Sequence, residues 1–362
     1  MYLPSSSFLN VSDDGTVPLV ATSARTESPD TASVTARQSA RSLVAQSRSH
    51  VYSKIDSTCR GPVGAFLAGA LDGCRKKVCV VSPAHPEMKR TVSEGRLSVD
   101  GRPVHLTPMA DDPAAPVTTD DVVSIIRQTT SVGVERFLGD ATQFLNENGP
   151  TILVADASSI ADLVRIVDSL ESAQDVMLAG SGGMLSVLPT VWGWQPRPPA
   201  TATPTATQLL TVVGSIHPTT LRQVEVLGGV ADAVVDCSGQ GSSMNVIEQS
   251  RRGSNVVVTS GTMISGQDTG IELLGLLTKI TRTAVVECPD LALVVTGGDT
   301  AMAVLRALKA ESLLVQGAVA PGTPYSLILG GVADGRTLVT KAGGFGGENA
   351  LVECVNFVLG GM

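Results

Sequence analysis

Aromatic side chains are scarce in this 362-residue chain: Phe, Trp and Tyr together make up 3 %. So few rings argue against a stacking surface for single-stranded nucleic acid. The net charge is −8 and the Lys and Arg residues form no basic stripe, so DNA and RNA binding are not expected. Four histidines without metal-ligand spacing argue against a zinc site. Cys59, Cys74, Cys79, Cys237, Cys288 and Cys354 form no CxxC, and several lie in apolar runs such as KKVCVVSP. That placement predicts buried, reduced thiols and a cytoplasmic location. No apolar run reaches the roughly 18 residues of a membrane span. The start MYLPSSSFLN lacks a charged region and a signal-peptide core, so no membrane partner is expected. None of the glycine-rich turns reads GxGxxG or GxxxxGKS/T, and no GxSxG elbow occurs. A dinucleotide fold, a standard triphosphate loop and acyl-transfer hydrolysis are therefore not indicated.

Hydrophobic residues, at 43 %, and 37 glycines are what the chain does have. They suit tightly packed layers joined by many turns. The length points to two domains. The stretch WGWQPRPPATATPTATQLL has no apolar period, so Gln195 to Gln208 reads as an exposed linker. It separates a first domain, 1–194, from a second, 209–362. In the first, VPLVATSAR reads as extended, TASVTARQSARSLVAQ as a helix, HVYSKIDS as a strand and VGAFLAGALDGC as a helix. RLSVDGRPVHL reads as a hairpin, because Asp100-Gly101 suits a type I′ turn. TILVADA is a strand, and Ser158 is the expected N-cap of SIADLVRIVDSL. The second domain repeats the alternation in LLTVVGSIHPTTLRQVEVL, SNVVVTSG and TGIELLGLLTKITRTAV. The expected fold class is α/β, two domains, each a mainly parallel sheet flanked by helices.

Three turns stand out in the second domain. In LALVVTGGDTAMAVLRAL the apolar residues after the turn, Ala301, Val304, Leu305 and Leu308, have helical spacing. Gly297, Gly298, Asp299 and Thr300 therefore join the carboxyl end of a buried strand to a helix N-terminus, where free N–H groups and the helix dipole favour an anion. Thr300 could cap the helix or offer its hydroxyl to a phosphate, and Asp299 could hold a magnesium ion through water. VVGSIHPTTLRQ places Gly214 and Ser215 likewise. TKAGGFGGENALVECV places Gly343, Gly344, Gly346 and Gly347 before a helix whose apolar face is Leu351, Cys354, Val355 and Val358. Each turn alone is equally a plain strand-to-helix connection. Three together can converge at the carboxyl edge of a parallel sheet, which favours a polyphosphate site.

In the first domain, YSKIDSTCRGPVGAF gathers Lys54, Asp56, Ser57, Thr58 and Arg60 at a strand end. Arg25 ends ATSAR and Arg90 follows SPAHPEMK. These cations could grip a substrate carboxylate, or be ordinary solvated loop charge. His85 and His217 read as satisfied loop histidines.

Several of these stretches, in this order, resemble the four-carbon acid sugar kinase family, formerly a domain of unknown function. VYSKIDSTCRGPVGAFL resembles its K-x-D-S-T-x-R-G-N-x-G stretch, with Pro62 for the usual Asn. SPAHPEMKRTVSEGRLSVDGRPVHLT resembles P-A-x-P-x-x-G-R-x-x-x-x-G, with Lys89 for Gly, and ADDPAAPV resembles D-P-x-x-P-V. VVGSIHPTTLRQ, TGGDTAMAV, PGTPYS and TKAGGFGG resemble S-G-S-C-S-P-x-T-x-x-Q, T-G-G-E-T-x-x-x-V, P-G-x-P and K-S-G-x-F-G. The resemblance runs from about Arg25 to the end. It implies a sugar-acid-binding first domain, an ATP-binding second domain, and transfer of the γ-phosphate to a hydroxyl of a threonate, erythronate or oxo-tetronate type of acid. By matched position, Gly214, Ser215, Gly297 to Thr300, Gly343 and Gly346 would contact ATP with Mg2+, and Arg25, Lys54, Asp56, Ser57, Arg60 and Arg90 the acid.

The family's opening Asp-Asp-x-Thr-Gly-Ala turn has no match. Asp13-Asp14-Gly15-Thr16 precedes the extended VPLVATSAR rather than a helix. The chain is thus expected to start after that unit or to have lost it, leaving Asp56 as the substitute catalytic acid. The alternative is a degenerate nucleotide- or metabolite-binding relative with a regulatory role. A different α/β enzyme, such as an oxidoreductase, would need a cofactor motif that is not seen. Oligomeric state stays open, a homo-oligomer included.

Overall fold

The computed structural model describes residues 17–22, 24–45, 51–112, 114–146, 149–170, 175–194, 206–215, 217–239, 241–253, 255–260 and 267–360. Asp13 to Thr16 and most of the linker, 195–205, lie outside the described residues. The described chain forms two compact units, one holding residues up to Trp194 and the other those from Ala206 onwards.

The first unit runs α1 (Pro29–Ala45), β1 (Tyr52–Lys54), α2 (Val63–Cys74), β2 (Val78–Ser82), β3 (Arg90–Ser93), β4 (Arg96–Val99), β5 (Arg102–Pro103), α3 (Val122–Arg127), β6 (Gly133–Arg136), β7 (Thr151–Val154), α4 (Ile160–Asp168), β8 (Val176–Gly180) and α5 (Gly182–Val191). Five strands make a sheet in the order β1-β8-β2-β7-β6, with every pairing parallel. Its central strands are apolar on both faces: Val78 to Val81 and Ile152 to Val154 are buried. Helices on both sides account for that. β3, β4 and β5 form a separate antiparallel sheet. The β4–β5 turn has the positive φ angles a type I′ turn needs, 51° at Asp100 and 75° at Gly101.

Three local expectations change. Val17 to Thr22 holds only a single bridge residue, Val20, and Ala24–Thr26 is a 3-10 turn rather than strand. The strand in HVYSKIDS is only Tyr52–Lys54. The cap of α4 is Ser159, not Ser158. Ser159 accepts from Asp162 N, and the Asp162 carboxylate accepts from Ser159 N in return. An acid three residues on selects Ser159, because only that spacing closes the capping box.

The second unit runs β9 (Gln208–Val213), α6 (Pro218–Gly228), β10 (Ala233–Asp236), α7 (Ser242–Arg251), β11 (Asn255–Thr259), α8 (Gln267–Glu287), β12 (Leu291–Thr296), α9 (Gly298–Ala307), β13 (Ser312–Ala320), β14 (Thr323–Leu329), β15 (Thr337–Lys341) and α10 (Ala350–Leu359). Its seven-stranded sheet has the order β10-β11-β9-β12-β15-β14-β13. The first five strands are parallel, and β14 and β13 are antiparallel. The period of two along each strand divides the core. Leu210, Val212, Leu293 and Val295 pack with Leu277, Ile280, Val304 and Leu305 on one face. Leu209, Val213, Ala292 and Val294 pack with Leu227, Leu351, Val355 and Val358 on the other. A sheet apolar on both faces is why these strands read as unbroken apolar runs.

Candidate functional site

In the second unit, β9, β12 and β15 are neighbours and parallel, so the turns that leave their carboxyl ends adjoin. Gly297, at φ 101°, is the single residue between β12 and α9, and its N–H donates to Lys341 O at 3.0 Å. A Cβ placed on Gly214 would lie 2.1 Å from Thr300 Oγ1, and one on Gly343 would lie 2.1 Å from Ser215 Oγ. The three turns are therefore in direct contact, and Gly214, Ser215, Gly297, Thr300 and Gly343 share one place. Glycine suits both positions because the Thr300 and Ser215 side chains already occupy the space a Cβ would need. Gly298 and Asp299 are exposed in the first turn of α9, with open space beside Gly298. Gly346 packs against the start of α10, where a Cβ would meet Ala350 Cβ at 2.6 Å.

Four further residues belong to this place. Thr220 Oγ1 donates to Gly343 O at 2.6 Å and lies 3.1 Å from Ser215 Oγ. Gln223 Nε2 donates to the carbonyls of Phe345, Gly346 and Gly347 at 3.1, 3.3 and 2.8 Å. Lys341, only 2 % exposed, donates from Nζ to Ala342 O, Gly343 O and Phe345 O at 2.9, 3.3 and 2.9 Å. Burial pushes its pKa down. His217 caps α6, its Nδ1 accepting from Thr219 N at 3.2 Å. The sequence carried a sign of the first three. Thr220 and Gln223 occupy the buried stripe of α6 beside Leu227, and Lys341 ends a strand whose centre, Leu338 and Val339, is apolar and buried. Polar groups at core positions need partners.

In the first unit the turn after β1 is built around Asp56. Its Oδ1 accepts from Thr58 N and Thr58 Oγ1, each at 2.9 Å, and its Oδ2 from Arg60 Nε at 2.7 Å. Arg25 Nη1 stands 3.8 Å from Oδ2. Arg60 also donates from Nη1 to Asp112 Oδ2 at 2.9 Å. Burial alone would lower the Arg60 pKa, but Asp56 and Asp112 outweigh it and raise it. The Arg60 hydrogen bond, helped by the N–H groups of Ala114 and Ala115, holds the Asp112 carboxyl below its usual range. Asp112 was not singled out in the sequence, although it lies in ADDPAAPV. Ser57 is half-buried in the same turn.

Lys54 and Arg90 form a different group. The turn after β8 lies on the turn after β2: Ser181 Oγ donates to Ala84 O and Tyr52 Oη to Ser181 O, both at 2.6 Å. His85 and Arg90 exchange backbone bonds, His85 N to Arg90 O at 2.8 Å and Arg90 N to His85 O at 3.1 Å. Burial, with the charges of Arg90 and Lys54, keeps the His85 pKa low against the pull of Glu87. Lys54 is exposed. Arg90 Nη1 donates to Met88 O, while its Nε is buried without a partner among the described residues. Asp56 and Arg60 thus sit in one ion-paired turn, and Lys54 and Arg90 flank His85.

Among the described residues no cluster of three or more His, Cys, Asp or Glu could hold a metal, and no helix is long and apolar enough to cross a membrane. All six cysteines are free and buried.

Comparison with known proteins follows the same division. A model described as a sugar-binding N-terminal domain matches residues 5–188, and one described as a nucleotide-binding C-terminal domain matches residues 210–351. A D-threonate kinase of Salmonella typhimurium is 30 % identical over 347 residues, covering 85 % of this chain and 80 % of that protein. A D-erythronate kinase of Heliobacterium modesticaldum is 24 % identical, covering 94 % of this chain and 86 % of that protein. A crystal structure of a Haemophilus influenzae protein superposes with a TM-score of 0.75 at 17 % identity, covering 94 % of this chain and 89 % of the other, which shows a shared fold. The chain belongs to the four-carbon acid sugar kinase family, phosphotransferases with an alcohol group as acceptor.

Proposed function

We propose that this chain is an ATP-dependent kinase that phosphorylates a hydroxyl of a four-carbon sugar acid. The observation that carries the nucleotide half is the mutual contact of the three turns at Gly214-Ser215, Gly297 to Thr300 and Gly343. Backbone N–H groups at strand ends, beside the Ser215 and Thr300 hydroxyls, suit a chain of phosphates. Asp299 offers one exposed carboxylate in the first turn of α9. One carboxylate completed by phosphate oxygens and water is an ordinary Mg2+ donor set, so the residues present fit the ion. ATP with Mg2+ would supply the phosphoryl group and neutralise its charge.

For the acid, the two cation groups have different parts. Arg60 already holds two carboxylates, Asp56 and Asp112, so it shapes its turn. Arg90, with its unpartnered Nε, and the exposed Lys54 are the cations we assign to the substrate carboxylate. Arg25 and Ser57 line the Asp56 side. Asp56 is the carboxylate assigned to the acceptor hydroxyl, although Thr58 and Arg60 now engage both its oxygens.

The test is ADP release from magnesium-ATP by the purified chain, with D-threonate, D-erythronate and 3-oxo-tetronate against a blank without acid. Acid-dependent release is expected. A folded sample that binds ATP and releases no ADP with any of these acids would refute the kinase reading and favour a regulatory relative.

A further inference from the structure

A lysine beside a glycine-rich turn at a nucleotide site would ordinarily be assigned to the phosphates. Lys341 has no capacity for that. An ammonium group has three donors, and three carbonyls of the adjoining loop take them: Ala342, Gly343 and Phe345. Gln223 and Thr220 complete the pattern from α6. Gln223 Nε2 serves Phe345, Gly346 and Gly347, and Thr220 Oγ1 serves Gly343. Five peptide carbonyls of one short loop are therefore drawn onto three buried side chains.

The consequence follows from peptide geometry. In a trans peptide the C=O and the N–H of the next residue point in opposite directions, and the described chain has no cis bond. With the carbonyls of residues 342, 343, 345, 346 and 347 drawn inward, the N–H groups of Gly343, Gly344, Gly346, Gly347 and Glu348 are directed outward. The loop also adjoins the β9 turn, since a Cβ on Gly343 would meet Ser215 Oγ at 2.1 Å and one on Gly344 would meet His217 Nε2 at 3.2 Å, and its Phe345 ring lies against Gly322 of the β13–β14 turn. Successive outward N–H groups make an anion-binding concavity.

We infer that Lys341 is a positioning residue that, with Gln223 and Thr220, holds the 342–348 loop as a phosphate-binding nest while making no phosphate contact itself. The inference rests on the nucleotide reading given above for this unit. It separates the two roles a buried cation can have: its charge attracts the anion at a distance, but its hydrogen bonds set the direction of the backbone.

The experiment uses the full chain and Lys341→Met, Lys341→Arg and Gln223→Leu, each checked for native circular dichroism. Hydrogen exchange is read without ligand, and binding is read calorimetrically with Mg-ATP, adenosine and inorganic tripolyphosphate. In Lys341→Met, exchange across 342–349 should quicken while β9 and β12 keep their protection. Mg-ATP affinity should fall about tenfold with adenosine affinity unchanged. Lys341→Arg should fail to restore it, because a planar guanidinium cannot serve the same three carbonyls. Gln223→Leu keeps bulk and removes the second set of donors, so it should move both readouts the same way and decides the matter if Lys341→Met does not fold. Unchanged exchange in a folded variant, or full rescue by arginine, would overturn the positioning role. Quickened exchange with unchanged ATP affinity would overturn the nest and leave the nucleotide reading standing. Tripolyphosphate binding without ATP binding in the wild-type chain would do the reverse.

Discussion

The contact between the β9 and β12 turns can be tested by adding one methyl group. In Gly214→Ala the new Cβ would lie 2.1 Å from Thr300 Oγ1, 2.9 Å from its Cγ2 and 3.1 Å from its Cβ. Both branches of the threonine and the Cβ that carries them are too close, so a change of rotamer does not relieve the overlap. Thr300 is 3 % exposed in the first turn of α9, so relief requires the helix to move. Overpacking of this kind costs about 2–3 kcal/mol. Thr300→Ala alone removes a buried methyl and hydroxyl and should cost about 1 kcal/mol. If the two groups compete for one space, the double variant removes the worst overlaps and should cost about 1–2 kcal/mol in place of an additive 3–4. Rescue stays partial, because the Thr300 Cβ position remains 3.1 Å away. Both tryptophans, Trp192 and Trp194, lie in the first unit, so fluorescence would not follow the loss. Far-UV circular dichroism in urea, or exchange of the β9 and β12 amides, would. Additivity within about 0.5 kcal/mol would show that the turns do not touch and would remove the main support for a shared phosphate site.

Arg90→Met should raise KM for the acid about tenfold or more with the KM for ATP unchanged, read in steady-state assays; equal effects on both would sink its assignment. Arg60→Met should act on stability with a defined pH dependence. The folded pKa of Asp112 is depressed, chiefly by Arg60, so this pairing stabilises above the unfolded carboxylate pKa and is lost as pH falls through the folded one. The difference between wild type and variant should be full near neutrality and close below about pH 4, in urea titrations across pH. The six thiols should resist Ellman's reagent at pH 8 in the native chain and all react once it is unfolded, since all are buried and burial pushes Cys74, Cys237 and Cys354 up to about 11.

The layers of the fold were legible because each depends on a local period. Ala301, Val304 and Leu305 on α9 with Leu308 at its C-cap, and Leu351, Cys354, Val355 and Val358 on α10, face the core as their spacing predicts. Motifs in a fixed order then identified the family, which no single turn could do. The β13–β14 hairpin escaped notice. Its strands alternate weakly and Val315 is 55 % exposed, so nothing in their pattern marks them as the antiparallel edge of a largely parallel sheet.

Charge was the least legible feature, for a physical reason. The sequence offered Arg25, Lys54, Arg60 and Arg90 as equivalent cations at strand ends. The structure divides them by their partners, and those partners are remote in sequence. Arg60 meets Asp56 four residues away but Asp112 fifty-two residues away, so two carboxylates already share its charge. Lys341 deceives in the same way. Its position beside a glycine-rich turn suggests a phosphate ligand, yet three carbonyls take its three donors. A buried cation's role depends on which acceptors the fold brings to it, because an unpaired ammonium in the core would cost several kcal/mol. Counting cations near a site therefore overstates what remains for the ligand, and the residues to mutate first are those whose donors are still open, Arg90 and Lys54.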